Sequence, residues 1–347
     1  MVRFVQIDNL GISSLSDVVL DLPQLYQKPA TEVLHAVLTL LDLPPSTFND
    51  KGQTSKSTII HPEGITAYLT KIISSSLAWL PSDTDREMIW DQASQRLSQR
   101  SGRTAMADIT RRFTIPTRSD ETNDISLEIY EPALTEDNLG LKTWSSSYVL
   151  AKKVHLLQSH VPLSKDTPVL ELGAGTGLVG LAAAAVWRAH VVLTDLPAIV
   201  PNLARNVDQN AEVIKGRGGA AVAGTLDWLE PETLVLSDTT QELASSGHLQ
   251  PGKVQTILAA DPIYSPDHPR MLVNTVSVWL EQTKDTRLVL AYPIREAYLP
   301  QIVDLRTRLQ DVGLKVVVEG TEMTRDDWAE EVEVRWSVWG REKGCDA

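Results

Sequence analysis

From residue 143 onward, apolar positions fall into short solid runs separated by amphipathic stretches. The runs at 168–172, 190–194, 254–260, 288–291 and 315–319 have strand length. Between them, 178–187, 198–213, 271–282 and 299–312 carry apolar residues at helical spacing. Apolar strands alternating with amphipathic helices predict a parallel sheet covered on both faces. The stretch 332–339 alternates strictly and reads as a late edge strand.

The chain before residue 143 follows other periods. Residues 31–41 place apolar side chains at helical spacing and stop before Pro44-Pro45. A second helix is predicted over 65–80, ended by Pro81. Ser82-Asp83 is expected to cap a third, running through Met88, Ile89, Trp90 and Leu97. The polar stretch 46–57 reads as a loop. Two alternating runs, 112–116 and 125–130, joined by the polar turn 118–124, predict a hairpin. The expected organisation is an N-terminal helical region at 1–110, a β-hairpin extension and linker at 111–142, and an α/β domain at 143–347 with helices on both faces of its sheet. No repeat of fixed period is visible.

With 42% hydrophobic and 22% charged residues, the chain has an ordinary globular composition. Its 45 acidic residues outnumber 32 basic ones, a net charge of −13. That balance argues against tight nonspecific nucleic-acid binding and suits a basic protein segment as partner. One cysteine, Cys345, excludes an intrachain disulfide and a cysteine-built metal site. No run approaches the roughly 18 apolar residues of a membrane span, so a cytoplasmic protein that does not engage membranes is expected.

The sharpest chemical signal is Pro168-Val169-Leu170-Glu171-Leu172-Gly173-Ala174-Gly175-Thr176-Gly177-Leu178-Val179-Gly180, a buried strand entering three glycines and then a helix. Glycines turn the chain tightly and let a ligand approach the backbone, and the helix start offers free N–H groups. Two ligand classes use such a turn. A dinucleotide sets its pyrophosphate on the helix N-terminus. S-adenosylmethionine needs the same access for its carboxylate and ribose. Glu171 tilts the choice towards the methyl donor, because a carboxylate ending a buried strand is costly unless hydrogen-bonded. It is expected to hold a water or the amino group of the ligand's methionine part. Gly175, Gly177 and Gly180 also match the dinucleotide spacing, but a few residues past the strand end. Asp195 ends the next strand, about 20 residues after the glycines, where an acid takes ribose hydroxyls. Its alternative is to cap the helix after Leu196-Pro197.

Further on, Gly224-Thr225-Leu226-Asp227-Trp228 follows a third strand. It suggests an adenine contact at Asp227 and Trp228, with a core tryptophan as the alternative. The strand ending at Ala260 leads into Asp261-Pro262-Ile263-Tyr264. Ligands of doubly wound sheets sit at the carboxyl ends of strands near the switch point. Ala260 is therefore expected beside the donor, and Asp261 and Tyr264 opposite its methyl group. Asp261 would bind and aim an arriving ammonium while Tyr264 shapes the slot. Asp267 and His268 follow, but Asp267 is more simply a helix cap, and no metal is expected. The arginines at 96, 100, 103, 111 and 112 read as a solvated face or internal salt-bridge partners, or as a docking patch for acidic protein or ribosomal RNA.

Together, Glu171-x-Gly173-x-Gly175-x-Gly177, Thr194-Asp195, Asp227-Trp228 and Asp261-Pro262-Ile263-Tyr264 resemble the seven-β-strand protein methyltransferases of family 16, whose mark is D-x-x-Y after strand four. The resemblance implies a Rossmann-like class I sheet of seven strands with a late antiparallel strand. It also implies S-adenosyl-L-methionine as cofactor, S-adenosyl-L-homocysteine as product, and a protein lysine as acceptor. The approach Gly140-Leu141-Lys142-Thr143-Trp144 resembles the family's tryptophan segment and nominates Trp144 for the donor site. Residues 102–105 and 131–144 are similar to fungal enzymes that methylate lysine on translation elongation factor 2. That likeness implies this factor as partner, with a ribosome-associated contact through 96–112. Ile263 stands where methyltransferases of bases or amides carry proline, which lowers that reading. A nicotinamide oxidoreductase and a non-catalytic binding module are the other classes. The first hundred residues, without a catalytic signature, are expected to recognise substrate or cover the catalytic domain.

Overall fold

The computed structural model describes residues 22–42, 62–98, 100, 108–117, 124–133, 139–163, 167–237, 249–325 and 331–341. Cys345, the polar stretch 46–57, residues 102–105, most of the hairpin turn and residues 134–138 lie outside the described residues. The chain divides into two compact units, Met1–Ala107 and Asp108–Ala347.

The first unit contains helices α1 (Thr31–Leu40), α2 (Pro62–Ser74) and α3 (Asp83–Ser98). Leu34, Leu38, Ile65, Leu69, Ile72 and Ile89 close one core between them. α2 ends earlier than its apolar pattern predicts. Serines compete with the helix for backbone hydrogen bonds. Here the Ser75 hydroxyl accepts the Leu77 N–H, and Leu77 turns the chain at φ 45°. Ser82 starts α3 by accepting the Asp85 N–H at 3.1 Å.

The arginine run is not a free basic patch. Arg96 donates to the Leu38 carbonyl and pairs with Asp42, and Arg100 donates to the Leu41 carbonyl, so both satisfy groups at the end of α1. In the second unit Arg111 faces Glu131 in the interior and Arg112 pairs with Glu128. Arg103 lies outside the described residues.

The second unit opens with the antiparallel hairpin β1 (Ile109–Ile115) and β2 (Ile125–Glu131). There follow α4 (Ser145–Leu157), β3 (Val169–Leu172), α5 (Leu178–Trp187), β4 (His190–Asp195), α6 (Val200–Arg217), β5 (Ala220–Leu226) and β6 (Leu234–Leu236). The chain continues through β7 (Thr256–Ala260), α7 (His268–Trp279), β8 (Arg287–Pro293), α8 (Leu299–Asp311), β9 (Leu314–Arg325) and β10 (Glu331–Arg341). The strands from β3 on make one sheet of order β6-β5-β4-β3-β7-β8-β10-β9. β5, β4, β3, β7 and β8 are mutually parallel; β10 runs antiparallel to its neighbours β8 and β9, so β9 again runs with the parallel set. Setting β6 aside, this is the seven-stranded order with a late antiparallel strand that the sequence reading expects. β6 is an addition, three residues antiparallel to β5 at the sheet edge.

The period-2 alternation of the strands separates the two layers. Leu170, Leu172, Ile257, Leu288 and Leu290 join Leu272 and Val276 of α7 and Leu305 and Leu309 of α8 in one core. Glu171 and Leu193 point the other way, towards Gly180 of α5. The hairpin, outside this sheet, borrows a hydrogen-bond partner from a helix. Asn210 of α6 bonds the backbone N–H and C=O of Glu128, and Asn206 those of Tyr130. One helical turn of four residues rises about 6 Å, and two strand residues span about 6.7 Å. Asparagines four apart can therefore serve alternate residues of β2 as a surrogate strand edge.

Candidate active site

The sheet reverses direction of travel at β3, whose neighbours are β4 and β7. The carboxyl ends of β3 and β7 therefore flank the switch-point crevice where open α/β sheets bind ligands. A cavity of about 280 Å³ opens there. Trp144, Gly173, Gly175, Asp195, Asp227, Trp228, Ala260, Asp261 and Tyr264 all line it, so the structure brings nine of the eleven nominated residues to one place. Glu171 and Gly177 are not among the lining residues.

The loop after β3 needs its glycines for two different reasons. Gly173 and Gly175 have φ of 67° and 58°, in the left-handed region that side chains rarely adopt. A Cβ on Gly173 would press on the Trp228 ring at 3.1 Å, and one on Gly175 on the Gly140 carbonyl at 3.1 Å. Gly177 shares the positive φ, at 89°, and in addition ends the loop against hydrophobic packing, with Leu203 2.7 Å from where its Cβ would stand. The loop is pinned to β4 by the Ala174 N–H on the Thr194 carbonyl and by the Thr194 hydroxyl on the Glu171 carbonyl.

Glu171 lies outside the cavity lining. It is 1% exposed and lies beneath α5, with Oε2 2.3 Å from the position a Gly180 Cβ would take. Oε2 has no hydrogen-bond partner among the described residues. Burial pushes its carboxyl up to about 8, the Gly180 N–H opposes that rise, and the Asp195 charge adds to it. Gly180, which completes the dinucleotide spacing in the sequence, is required by this carboxylate and by Leu193.

Asp195 is held rigidly. One carboxylate oxygen accepts the Gly175 N–H at 2.7 Å and the other the Leu196 N–H at 2.7 Å. Burial raises its carboxyl, and these two backbone bonds pull it back. It does not cap α6, whose N-cap is Ile199. Each oxygen keeps lone-pair capacity for a further donor. Asp227 accepts the Leu229 N–H through Oδ1 at 2.8 Å, a local turn that leaves its other oxygen out of that bond. The Trp228 ring lies over Gly173 at the cavity and also packs against the sheet core.

Across the cavity, β7 ends in a sharp turn. Asp261 has φ 55°, and its N–H bonds the Ala291 carbonyl at 2.8 Å. Non-glycine residues held there cost of order 1 kcal/mol, least for Asp and Asn, and such strain concentrates at functional sites. The turn buries Ile263 in the core and leaves Tyr264 53% exposed at the cavity. Burial, then the charges of Asp195 and Asp261, push the Tyr264 phenol up, so it stays protonated near neutrality. His268 lines the cavity too, its ring edge-on to both Tyr264 and Trp228 at centroid distances of 4.2 and 5.9 Å. Burial pushes its imidazole down. Asp267 sits at the N-cap of α7 without a side-chain cap bond. Among the described residues, no three His, Cys, Asp or Glu side chains come together as a metal site.

Sequence reasoning missed several lining residues, among them Gly140, Lys142, Thr176, Arg295 and Tyr298. Gly140 and Lys142 stood in the motif that nominated Trp144. Thr176 stood between two nominated glycines. Arg295 and Tyr298 follow β8, whose neighbour β7 carries Asp261, and only the strand order could have pointed to them.

Residues 121–301 match the signature of a family described as lysine methyltransferase. The chain is similar to the protein-lysine N-methyltransferase rrg1 of Schizosaccharomyces pombe, 32% identical over 274 residues, which are 78% of this chain and 84% of that protein. It is also similar to the protein-lysine N-methyltransferase EFM2 of Saccharomyces cerevisiae, 37% identical over 254 residues, 68% of this chain. The match spans 55% of EFM2's own length. A shorter match, 32% identical over 41% of this chain and 58% of the relative, joins it to the protein-lysine N-methyltransferase EFM6 of Saccharomyces cerevisiae.

Proposed function

The chain belongs to the lysine methyltransferase family and is a protein-lysine N-methyltransferase, and from that premise we propose that it moves a methyl group from S-adenosyl-L-methionine to a lysine of translation elongation factor 2 in the cytoplasm. The observation that carries the donor assignment is the crevice itself. A backbone loop with three glycines at positive φ faces a fixed carboxylate, Asp195, and a strained turn bearing Asp261 and Tyr264 lies across the cavity. The residues fit the donor. Gly173 and Gly175 give backbone access for its amino-acid part, Asp195 has acceptor capacity for the ribose hydroxyls, and Asp227 and Trp228 suit an adenine. Glu171, buried under α5, is left out of direct donor contact. No metal is part of the proposal.

The donor supplies an activated methyl on a sulfonium, so the protein's work is positioning. Asp261 binds the incoming ammonium and aims it, with its own backbone fixed on β8. Tyr264, kept protonated by burial and by two nearby carboxylates, shapes the slot rather than taking a proton. A lysine amine with an ordinary pKa of about 10.4 must shed its proton before it reacts, and a carboxylate beside it favours the charged form. Water that reaches the half-exposed Tyr264 side of the cavity serves as the outlet. Ile263, buried in the core, holds the third position of the D-x-x-Y turn apolar. Base and amide methyltransferases carry proline at that position, and its absence here supports an amine acceptor.

The elongation-factor assignment rests on the likeness of residues 131–144 to the fungal enzymes that act on that protein. A ribosome-associated contact through 96–112 is left out, because Arg96, Arg100 and Arg111 are engaged within the chain. The test is incubation with methyl-labelled donor and purified elongation factor 2, followed by mapping of the modified residue. Label on one lysine is expected. No label on the factor, with a labelled lysine on another protein when the incubation is repeated with a lysate, overturns the substrate assignment and leaves the reaction class standing.

A further inference from the structure

Most of the walls of the cavity belong to the sheet, but one comes from outside it. Residues 139–144 link the hairpin to α4 and lie across the glycine loop, with the Gly140 carbonyl against Gly175. This segment carries Gly140, Lys142 and Trp144 into the cavity. Its position is set by a buried charge cluster at the end of β2. Glu131 is 0% exposed, Arg111 4% and Lys142 3%. Glu131 Oε1 accepts the Thr143 N–H at 3.1 Å. Oε2 lies 3.5 Å from Arg111 Nε and 3.9 Å from Lys142 Nζ. The Lys142 ammonium also donates to the Pro132 carbonyl at 2.9 Å.

The cluster then reaches the glycine loop through one bond. The buried hydroxyls of Thr143 and Thr176 meet at 2.8 Å. Thr176 stands between Gly175 and Gly177, and its carbonyl accepts from Asn206, the residue that also holds Tyr130 of the hairpin. Two routes therefore tie β2 to the loop. One runs from Glu131 through Thr143 to Thr176, the other through Asn206. Charges this far out of water are costly unless each is paired, and an apolar set would pack the same wall. A network that fixes one register of the segment on the loop accounts for their use.

We propose that Glu131 and Thr176 are positioning residues for the methyl donor, locking the Gly140–Trp144 wall onto the glycine loop so that the donor cavity exists before the donor arrives. The inference rests on the donor assignment made above. It also makes the hairpin part of the donor site rather than an appendage to the sheet.

Thr176→Val tests it without touching a buried charge, since the shape is kept and only the hydroxyl bond is lost. Calorimetric titration of the full chain with S-adenosylhomocysteine is expected to show a roughly tenfold rise in Kd, of the size that a slightly misplaced wall produces, with the melting temperature close to wild type. Thr176→Ser retains the hydroxyl and restores the affinity. Glu131→Gln weakens binding likewise, and in the Glu131→Gln/Thr176→Val double variant the two losses are less than additive because they break one path. The KM for the protein substrate stays unchanged in Thr176→Val, which a general loosening of the fold would not permit. A folded Thr176→Val chain that binds with wild-type affinity overturns the positioning role. A wild-type chain that binds no S-adenosylhomocysteine overturns the donor assignment, and this inference with it.

Discussion

Glu171 gives the most quantitative consequence of the structure. Its carboxyl is raised from an ordinary 4.5 to about 8, first by burial and then by the Asp195 charge, against the Gly180 N–H. The folded chain therefore holds a proton that the unfolded chain releases between those two values. Stability linked to this group is fully present below pH 4.5 and is lost as the pH rises through about 8. A displacement of that size corresponds to on the order of 5 kcal/mol across the window. Glu171→Gln keeps the shape and an acceptor for Gly180 but cannot ionise. Asp195, Tyr264 and His268 also titrate differently in the folded state, yet they are common to both proteins and cancel in the comparison. Urea unfolding at pH 5, 7 and 8.5 reads the difference. The variant is expected to be about as stable as wild type at pH 5 and to gain on it by a few kcal/mol by pH 8.5. Parallel stability curves for the two proteins would refute the placement of a buried, titratable carboxyl beneath α5.

Three further predictions concern the site and the first unit. Asp261→Asn, which tolerates the same positive φ, keeps donor affinity within about twofold and lowers turnover by roughly a hundredfold or more; single-turnover assays beside S-adenosylhomocysteine titration check both halves. Gly175→Val places a β-branched residue at φ 58° against the Gly140 carbonyl. It is expected to abolish donor binding by calorimetry and to cost about 1–3 kcal/mol of stability. A chain beginning at Asp108 is expected to bind the donor normally and to lose activity on its native protein substrate, and full activity of that truncation would remove the first unit from substrate recognition.

What could be read from the sequence follows the strength of local signals. β3 and β7 are short, mainly apolar runs because they are buried on both faces, and the glycines between β3 and α5 announce a turn that side chains disfavour. α4 was not anticipated. It begins with three serines and carries Lys152-Lys153 in its middle, and it is held by Tyr148, Val149, Ala151 and Val154 buried against neighbouring elements rather than by an amphipathic repeat. β6 is three residues long, too short for an alternation to register. The same limit applies within the site. Asp261 and Tyr264 carry a spacing, whereas the Thr143–Thr176 bond joins residues 33 apart with no motif to mark it. Glu171 suggests a ligand because a carboxylate ends a buried strand, whereas its side chain lies beneath α5 and outside the cavity lining. The signal for its true neighbour was Gly180, a glycine inside a helix where only a close approach explains its use.

The central claim is that this crevice holds a methyl donor, and calorimetric titration of the purified full chain with S-adenosylhomocysteine, beside NAD as control, tests it most directly. One-to-one binding of S-adenosylhomocysteine and no heat with NAD is the predicted result. Binding of NAD alone, or of neither ligand, would contradict it.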